Sequence, residues 1–127
     1  MKYIKKILKK LSEDPVTSKT PTIVFARDPK CNLNEFKLDD LSCYGMFTSV
    51  DPSSAIRVFE GSHALQGNLD PKILLEEDSV IKESAIKMLS EFKDFPGYIF
   101  NLGHGITPDI NPDKVKVLVE AIRESGT

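Results

Sequence analysis

Two short segments carry the residue types from which a binding site is built: Gln66-Gly-Asn-Leu-Asp-Pro71 and Asn101-Leu-Gly-His-Gly-Ile106. Each combines glycines, which let backbone approach a ligand closely, with side-chain amides that both donate and accept hydrogen bonds. His104, held between Gly103 and Gly105, adds a ring nitrogen that can bond a carboxylate or shuttle a proton near neutral pH. A loop histidine bonded only to its neighbours is the plainer reading, and Asp70-Pro71 reads first as turn chemistry. Cys31, Cys43 and His63 do not stand at zinc-ligand spacing with His104, so neither a metal site nor a disulfide framework is expected. The acid runs Asp39-Asp40 and Glu76-Glu77-Asp78 fall in or before helices, where carboxylates complement the helix dipole, and receive no catalytic role.

Both chemical segments sit where a strand leaves a sheet. Thr22-Ile-Val-Phe-Ala26 is a compact β-branched and aromatic run, read as a buried strand. The turn Asp28-Pro-Lys follows it, then a helix start at Asn32 with Glu35 three residues on, and Leu33, Phe36 and Leu41 facing inward. Residues 43–49, 64–68 and 98–102 read as three further strands. Between them, residues 52–60 form a short helix closed by Gly61, and about 79–92 a longer one with Val80, Ile81, Ala85, Met88, Leu89 and Phe92 inward. Asn111-Pro-Asp113 opens a last helix that turns Val115, Leu118, Val119 and Ile122 to the core. Residues 1–12 form an amphipathic helix with Tyr3, Ile4, Ile7, Leu8 and Leu11 on one side and five lysines opposite. That basic face fits either an anionic-surface anchor or, as is ordinary on a globular domain, plain solvation. Strand and helix thus alternate, the pattern of a parallel sheet with helical crossovers. In such sheets ligands bind beyond the carboxyl ends of the strands, where both chemical segments lie.

Composition sets the outer limits. A chain of 127 residues, 40% apolar and 28% charged, is one domain with a sizeable core. Seventeen basic against nineteen acidic residues give a net charge of −2, which argues against general nucleic-acid binding. No apolar run is long enough for a membrane span, and the lysine-rich start has no apolar signal region. A cytoplasmic protein is expected.

At the two chemical segments the sequence resembles uroporphyrinogen decarboxylase. Leu65-Gln-Gly-Asn-Leu-Asp-Pro71, a helix of matching length, and Phe100-Asn-Leu-Gly-His-Gly-Ile106 followed by Pro108-Asp109 are similar, in order and spacing, to that family's carboxyl-terminal stretch. Pro21-Thr-Ile-Val-Phe-Ala26 extends the likeness upstream, and even Met1-Lys-Tyr-Ile4 resembles an internal stretch of the family. The likeness covers essentially the whole chain but only about the last third of the family's length.

The resemblance implies an α/β fold, the carboxyl-terminal half of a (β/α)8 TIM barrel: four parallel strands with intervening helices, residues 1–127 forming a single partial domain. It implies cofactor-free decarboxylation of the four acetate side chains of uroporphyrinogen, giving coproporphyrinogen in haem biosynthesis. His104 aligns with the family's active-site histidine, with hydrogen bonding to substrate as its role. The family's arginine-rich loop, essential aspartate and central tyrosine fall in the part this chain lacks, so no catalytic residue is carried over. The family's Gly-Leu-Asp-Trp-like strand end is here Gly45-Met-Phe-Thr48, and its glycine-rich turn is Asp28-Pro-Lys-Cys31.

Three functions follow. The chain is a decarboxylase piece that needs a complementary amino-terminal half chain, or it is a non-catalytic remnant or half-barrel interaction module. A corrinoid-linked methyltransferase of the same superfamily fits less well, because zinc-ligand spacing is missing. Half a barrel exposes two strand edges and an apolar face, so self-association is expected of it in isolation.

Overall fold

Alternation along the strands decides which side of the sheet the helices cover. A computed structural model describes residues 1–27 and 32–125. In it β1 (Ile23–Phe25), β2 (Cys43–Gly45), β3 (Ala64–Gln66) and β4 (Tyr98–Ile99) form one four-stranded sheet in sequential order. All neighbours are parallel, and the register sets Val24, Tyr44, Leu65 and Tyr98 side by side. Side chains alternate across a strand, so these four share a face, while Phe25, Gly45, Gln66 and Ile99 share the other.

The helices are α1 (Lys2–Glu13), α2 (Pro52–Phe59), α3 (Asp78–Glu91) and α4 (Pro112–Ser125). They pack on the first face. Tyr44, Met46 and Leu65 join Leu8 of α1, Ala55 and Phe59 of α2 and Phe92 in one buried cluster. Ile81 and Ala85 of α3 meet Leu118 and Ala121 of α4 in a second, against Leu69, Phe100 and Leu102. Each fully buried leucine or phenylalanine contributes about 1.5–3 kcal/mol. On the opposite face Ile23, Phe25 and Ile99 are 50%, 48% and 45% exposed, and among the described residues no helix covers it. A parallel sheet is normally covered on both faces or closed into a barrel. This one has helices outside and an open concave side, the geometry of half a (β/α)8 barrel.

Local chemistry explains the helix ends. The Asp51 carboxylate accepts from the Ser54 N–H at 2.9 Å and its hydroxyl at 2.7 Å, ahead of Pro52 at the first helical position. Gly61, at φ +70°, ends α2 in the left-handed conformation. Asn111 Oδ1 accepts from Asp113 N–H at 3.0 Å to start α4.

Some expectations need correction. The helix expected after β1 is a single 3₁₀ turn, Leu33–Phe36, although Asn32 does cap it by accepting from Asn34 N–H. Phe36 and Leu41 are both buried. Five residues apart, they would point about 140° from each other on an α-helix, so the segment unwinds to bury both. The strands are shorter than expected, because Phe47–Val50 turns on itself through the Val50 N–H to Phe47 carbonyl bond, and beyond β4 only Leu102 bridges to Leu69. Val80 and Val119, expected inward, are each 38% exposed, since they flank the stripes centred on Ile81 and Leu118. Of the α1 stripe only Leu8 is buried, while Tyr3 and Ile7 face outward. The turn Asp28-Pro-Lys-Cys31 lies outside the described residues.

Candidate functional site

The carboxyl ends of the four strands surround a cleft of about 250 Å³, lined by Phe25, Gly45, Met46, Gln66, Asn101, Leu102, His104 and Gly105. Both chemical segments reach it because β3 and β4 are neighbours. Gln66 pairs with Ile99, Leu69 bridges to Leu102, and the Gly103 N–H donates to the Leu69 carbonyl at 2.8 Å. The segments expected from sequence to carry chemistry therefore meet on the open side of the sheet.

His104 is half-buried at the rim. Its Nδ1 lies 2.9 Å from the Gly105 carbonyl, which can only accept, so Nδ1 carries the hydrogen. Nε2 is left for a ligand. In the neutral ring it accepts a hydrogen bond, and protonated it donates one. The ring stacks on Phe47, with centroids 5.6 Å apart and planes at 29°, and Phe47 in turn meets Phe25 at 6.3 Å. Asn101 turns its Oδ1 to Leu102 N–H at 2.9 Å, which leaves its amide hydrogens for the cleft.

Beside the cleft, outside its lining, Asn68, Gly67 and Gly103 tie the strand ends together. Asn68, 4% exposed, donates from Nδ2 to the carbonyls of Phe47 at 2.9 Å and Val50 at 2.7 Å, tying the loop after β2 to the end of β3. Gly103 packs on Thr48 so closely that a Cβ there would lie 2.6 Å from the Thr48 nitrogen. At Gly67, φ is +121° and a Cβ would meet the Met46 carbonyl at 2.8 Å. An amide between a glycine and a leucine at a strand end is the signal that marks Asn68, since a polar residue placed there must find partners.

Other polar groups are structural. Asp70 caps the 3₁₀ turn Pro71–Leu75 through Lys72 N–H at 2.9 Å, the turn role expected of it. Asp78 pairs with Lys114 at 2.7 Å, joining the start of α3 to α4, and this contact pushes the Lys114 ammonium above its ordinary value. His63 bonds the Leu38 carbonyl at 2.8 Å and Ser62, away from the cleft. Burial, with Glu91 nearby, drives the Tyr98 phenol upward, and its hydroxyl donates to the Gly67 carbonyl. No described group of three His, Cys, Asp or Glu side chains is placed to hold a metal ion. No described helix is long and apolar enough to cross a membrane.

None of the described residues lining the cleft is a carboxylate, a lysine or an arginine. What it offers is one imidazole, two amides and aromatic surface. That set suits a flat heteroaromatic ring bearing an N–H or carboxylate edge.

Comparison with known proteins places this arrangement. The family model for uroporphyrinogen decarboxylase (URO-D) matches residues 1–125. The uroporphyrinogen decarboxylase of Alcanivorax borkumensis is 34% identical over 124 residues, covering 98% of this chain and 35% of that protein. That of Chloroherpeton thalassium is 39% identical over 123 residues, 92% of this chain and 35% of the relative. The enzyme of Vesicomyosocius okutanii is 56% identical over a 59-residue stretch, 46% of this chain. The chain thus spans about 35% of the length of the first two relatives, matching their carboxyl-terminal part. It belongs to the uroporphyrinogen decarboxylase family.

Proposed function

We propose that this chain supplies the carboxyl-terminal half of a uroporphyrinogen decarboxylase site, as a single partial domain acting in the cytoplasm. Its ligand is a porphyrinogen, held by His104. The observation that carries this reading is His104 itself, with Nδ1 bonded to the Gly105 carbonyl and the residue lining a cleft where both motif segments meet.

The chemistry divides between this chain and the part it lacks. Decarboxylation breaks the bond between the acetate methylene and the carboxylate. The electron pair passes into a pyrrole protonated beside that acetate, carbon dioxide leaves, a proton adds to the methylene to complete the methyl group, and the ring proton is lost to restore the pyrrole. His104 contributes positioning. Its Nε2 accepts from an N–H edge when neutral and donates to a carboxylate when protonated. One charge-assisted hydrogen bond is worth about 1.5–3 kcal/mol, whereas even a millimolar complex needs about 4 kcal/mol. The neutral cleft therefore holds substrate weakly by itself. The charges that neutralise the remaining carboxylates and orient the pyrrole N–H groups belong to the complementary strands.

The experiment is equilibrium binding of uroporphyrinogen to the chain combined with the amino-terminal portion of a relative, as wild type and as His104→Ala. The reading expects at least tenfold weaker binding for the variant. Unchanged affinity for His104→Ala would favour the non-catalytic module.

A further inference from the structure

The cleft at the strand ends has no charged side chain among its described lining, and β1 carries one to its mouth. The two residues that follow each strand are Ala26-Arg27, Met46-Phe47, Gly67-Asn68 and Phe100-Asn101, and of these only Arg27 is a cation. The alternation of β1 continues past its last paired residue. Val24 and Ala26 pack against the core cluster beneath the helices. Ile23 and Phe25 are about half exposed on the open face, and Arg27 is exposed in turn. Side chains alternate along extended backbone, so Arg27 follows Phe25 onto the open face, about 6–7 Å further toward the carboxyl end. Phe25 itself lines the cleft.

We propose that Arg27 is a carboxylate-binding residue at the mouth of this cleft, and that it and His104 take two carboxylates of one flat ligand laid across Phe25 and Phe47. The proposal rests on the functional reading above and adds the residue of this chain that recognises the ligand's negative charge.

The row of rings sets the geometry. Phe25 meets Phe47 at 6.3 Å, and Phe47 stacks on His104 at 5.6 Å. Imidazole ends one side of this aromatic row, and Arg27 extends the other. Gly45 keeps the row open, because a Cβ there would stand 3.1 Å from Phe25 Cβ and displace that ring. A flat ligand on the row presents its edges to the two ends, where a carboxylate on either edge meets a donor.

Chemistry selects the group that is bound. A guanidinium stays charged at any physiological pH and offers a planar fork of donors that matches the two oxygens of a carboxylate. No described residue forms an ion pair or a hydrogen bond with that of Arg27. Its aliphatic stem can lie along the Phe25 ring while the charged head stays in water at the mouth. No charge in the described lining offsets its field, so an anion is drawn to that end of the cleft. Exposed to solvent, the pair supplies a modest factor in affinity and a large one in selectivity for anionic rings.

The test uses the 127-residue chain alone with two small flat probes: phthalate, which has two carboxylates on one ring, and its uncharged diamide. Binding is followed by heteronuclear NMR titration. Wild type should bind phthalate more tightly than the diamide, with shifts concentrated at Arg27, Gly45, His104 and Gly105, and more weakly as salt rises. Arg27→Gln should weaken phthalate binding about fivefold. Arg27→Lys, which keeps the charge but not the fork, should fall between the two. Arg57→Gln removes the same charge from the exposed side of α2 and should leave phthalate binding unchanged. Amide spectra unaltered away from the mouth verify that each variant is folded. No phthalate binding, phthalate no tighter than the diamide, equal binding by wild type and Arg27→Gln, or an equal fall for Arg57→Gln overturns the proposal. Anaerobic titration with uroporphyrinogen separates it from the functional reading. A chain that binds phthalate through Arg27 but does not bind uroporphyrinogen keeps the carboxylate site and refutes the functional reading instead.

Discussion

The ring of Phe47 lies against the imidazole of His104, with centroids 5.6 Å apart and planes at 29°. In this chain the histidine is braced by an aromatic face. The brace is indirect but firm. Asn68 grips the Phe47 and Val50 carbonyls, and Thr48 of the same turn abuts Gly103.

The stacking has a direct signature. The chain has two histidines, His63 and His104, and His63 meets Phe59 edge-on, away from the cleft. Phe47→Leu should shift the His104 ring proton resonances downfield as the ring current is lost, with those of His63 unmoved. Unmoved His104 resonances would show that the two rings do not stack in solution.

Asn68 is the next point of leverage. Asn68→Ala removes two hydrogen bonds and leaves the carbonyls of Phe47 and Val50 without their donor. The expected loss is about 2 kcal/mol in urea unfolding. The same variant should disturb the His104 resonances, because it releases the turn that carries Phe47. A loss below about 0.5 kcal/mol would show that water replaces the amide without cost.

The glycines of the two segments should respond very unequally. Gly67→Ala forces a side chain onto φ +121° and into the Met46 carbonyl, and Gly103→Ala drives one into Thr48. Each should cost at least about 2 kcal/mol. A Cβ at Gly105 meets nothing within 4 Å, so Gly105→Ala should stay within about 0.5 kcal/mol of wild type. Equal tolerance at all three positions would contradict the packing of the strand ends.

Acid should destabilise the fold through its caps. Hydrogen bonds from Ser54 hold the Asp51 carboxyl below its ordinary value, and a bond from Thr107 does the same for Asp109. For a carboxyl depressed in the folded state, the stabilisation is present above the unfolded value and lost as pH falls through the folded one. The urea midpoint should therefore hold steady through pH 5 and drop below about pH 4. Asp51→Asn should make that drop shallower. A midpoint that rises on acidification would contradict the sign.

Much of this was legible in the residues, and the exceptions have physical causes. Alternating apolar runs placed all four strands, and the parallel order follows from the helices between them. The two glycine-and-amide segments pointed to the cleft because strand ends gather at one end of a parallel sheet. The chain from Asn32 to Leu41 misled, since a correct cap at Asn32 says nothing of whether Phe36 and Leu41 can share one helical face. Tyr3 and Ile7 belong to a regular stripe that the described residues leave exposed. The partners of Asn68 and Phe47 were not legible, because Asn68 bonds the turn after β2 and Phe47 stacks on His104, contacts between segments distant in sequence.

The most direct test of the account is coproporphyrinogen formation from uroporphyrinogen, measured for the purified 127-residue chain alone and in complex with the amino-terminal portion of the relative. The account predicts no turnover by the chain alone, turnover by the complex, and a marked fall in that turnover for His104→Ala. Turnover by the isolated chain, or none from a folded complex, would contradict it.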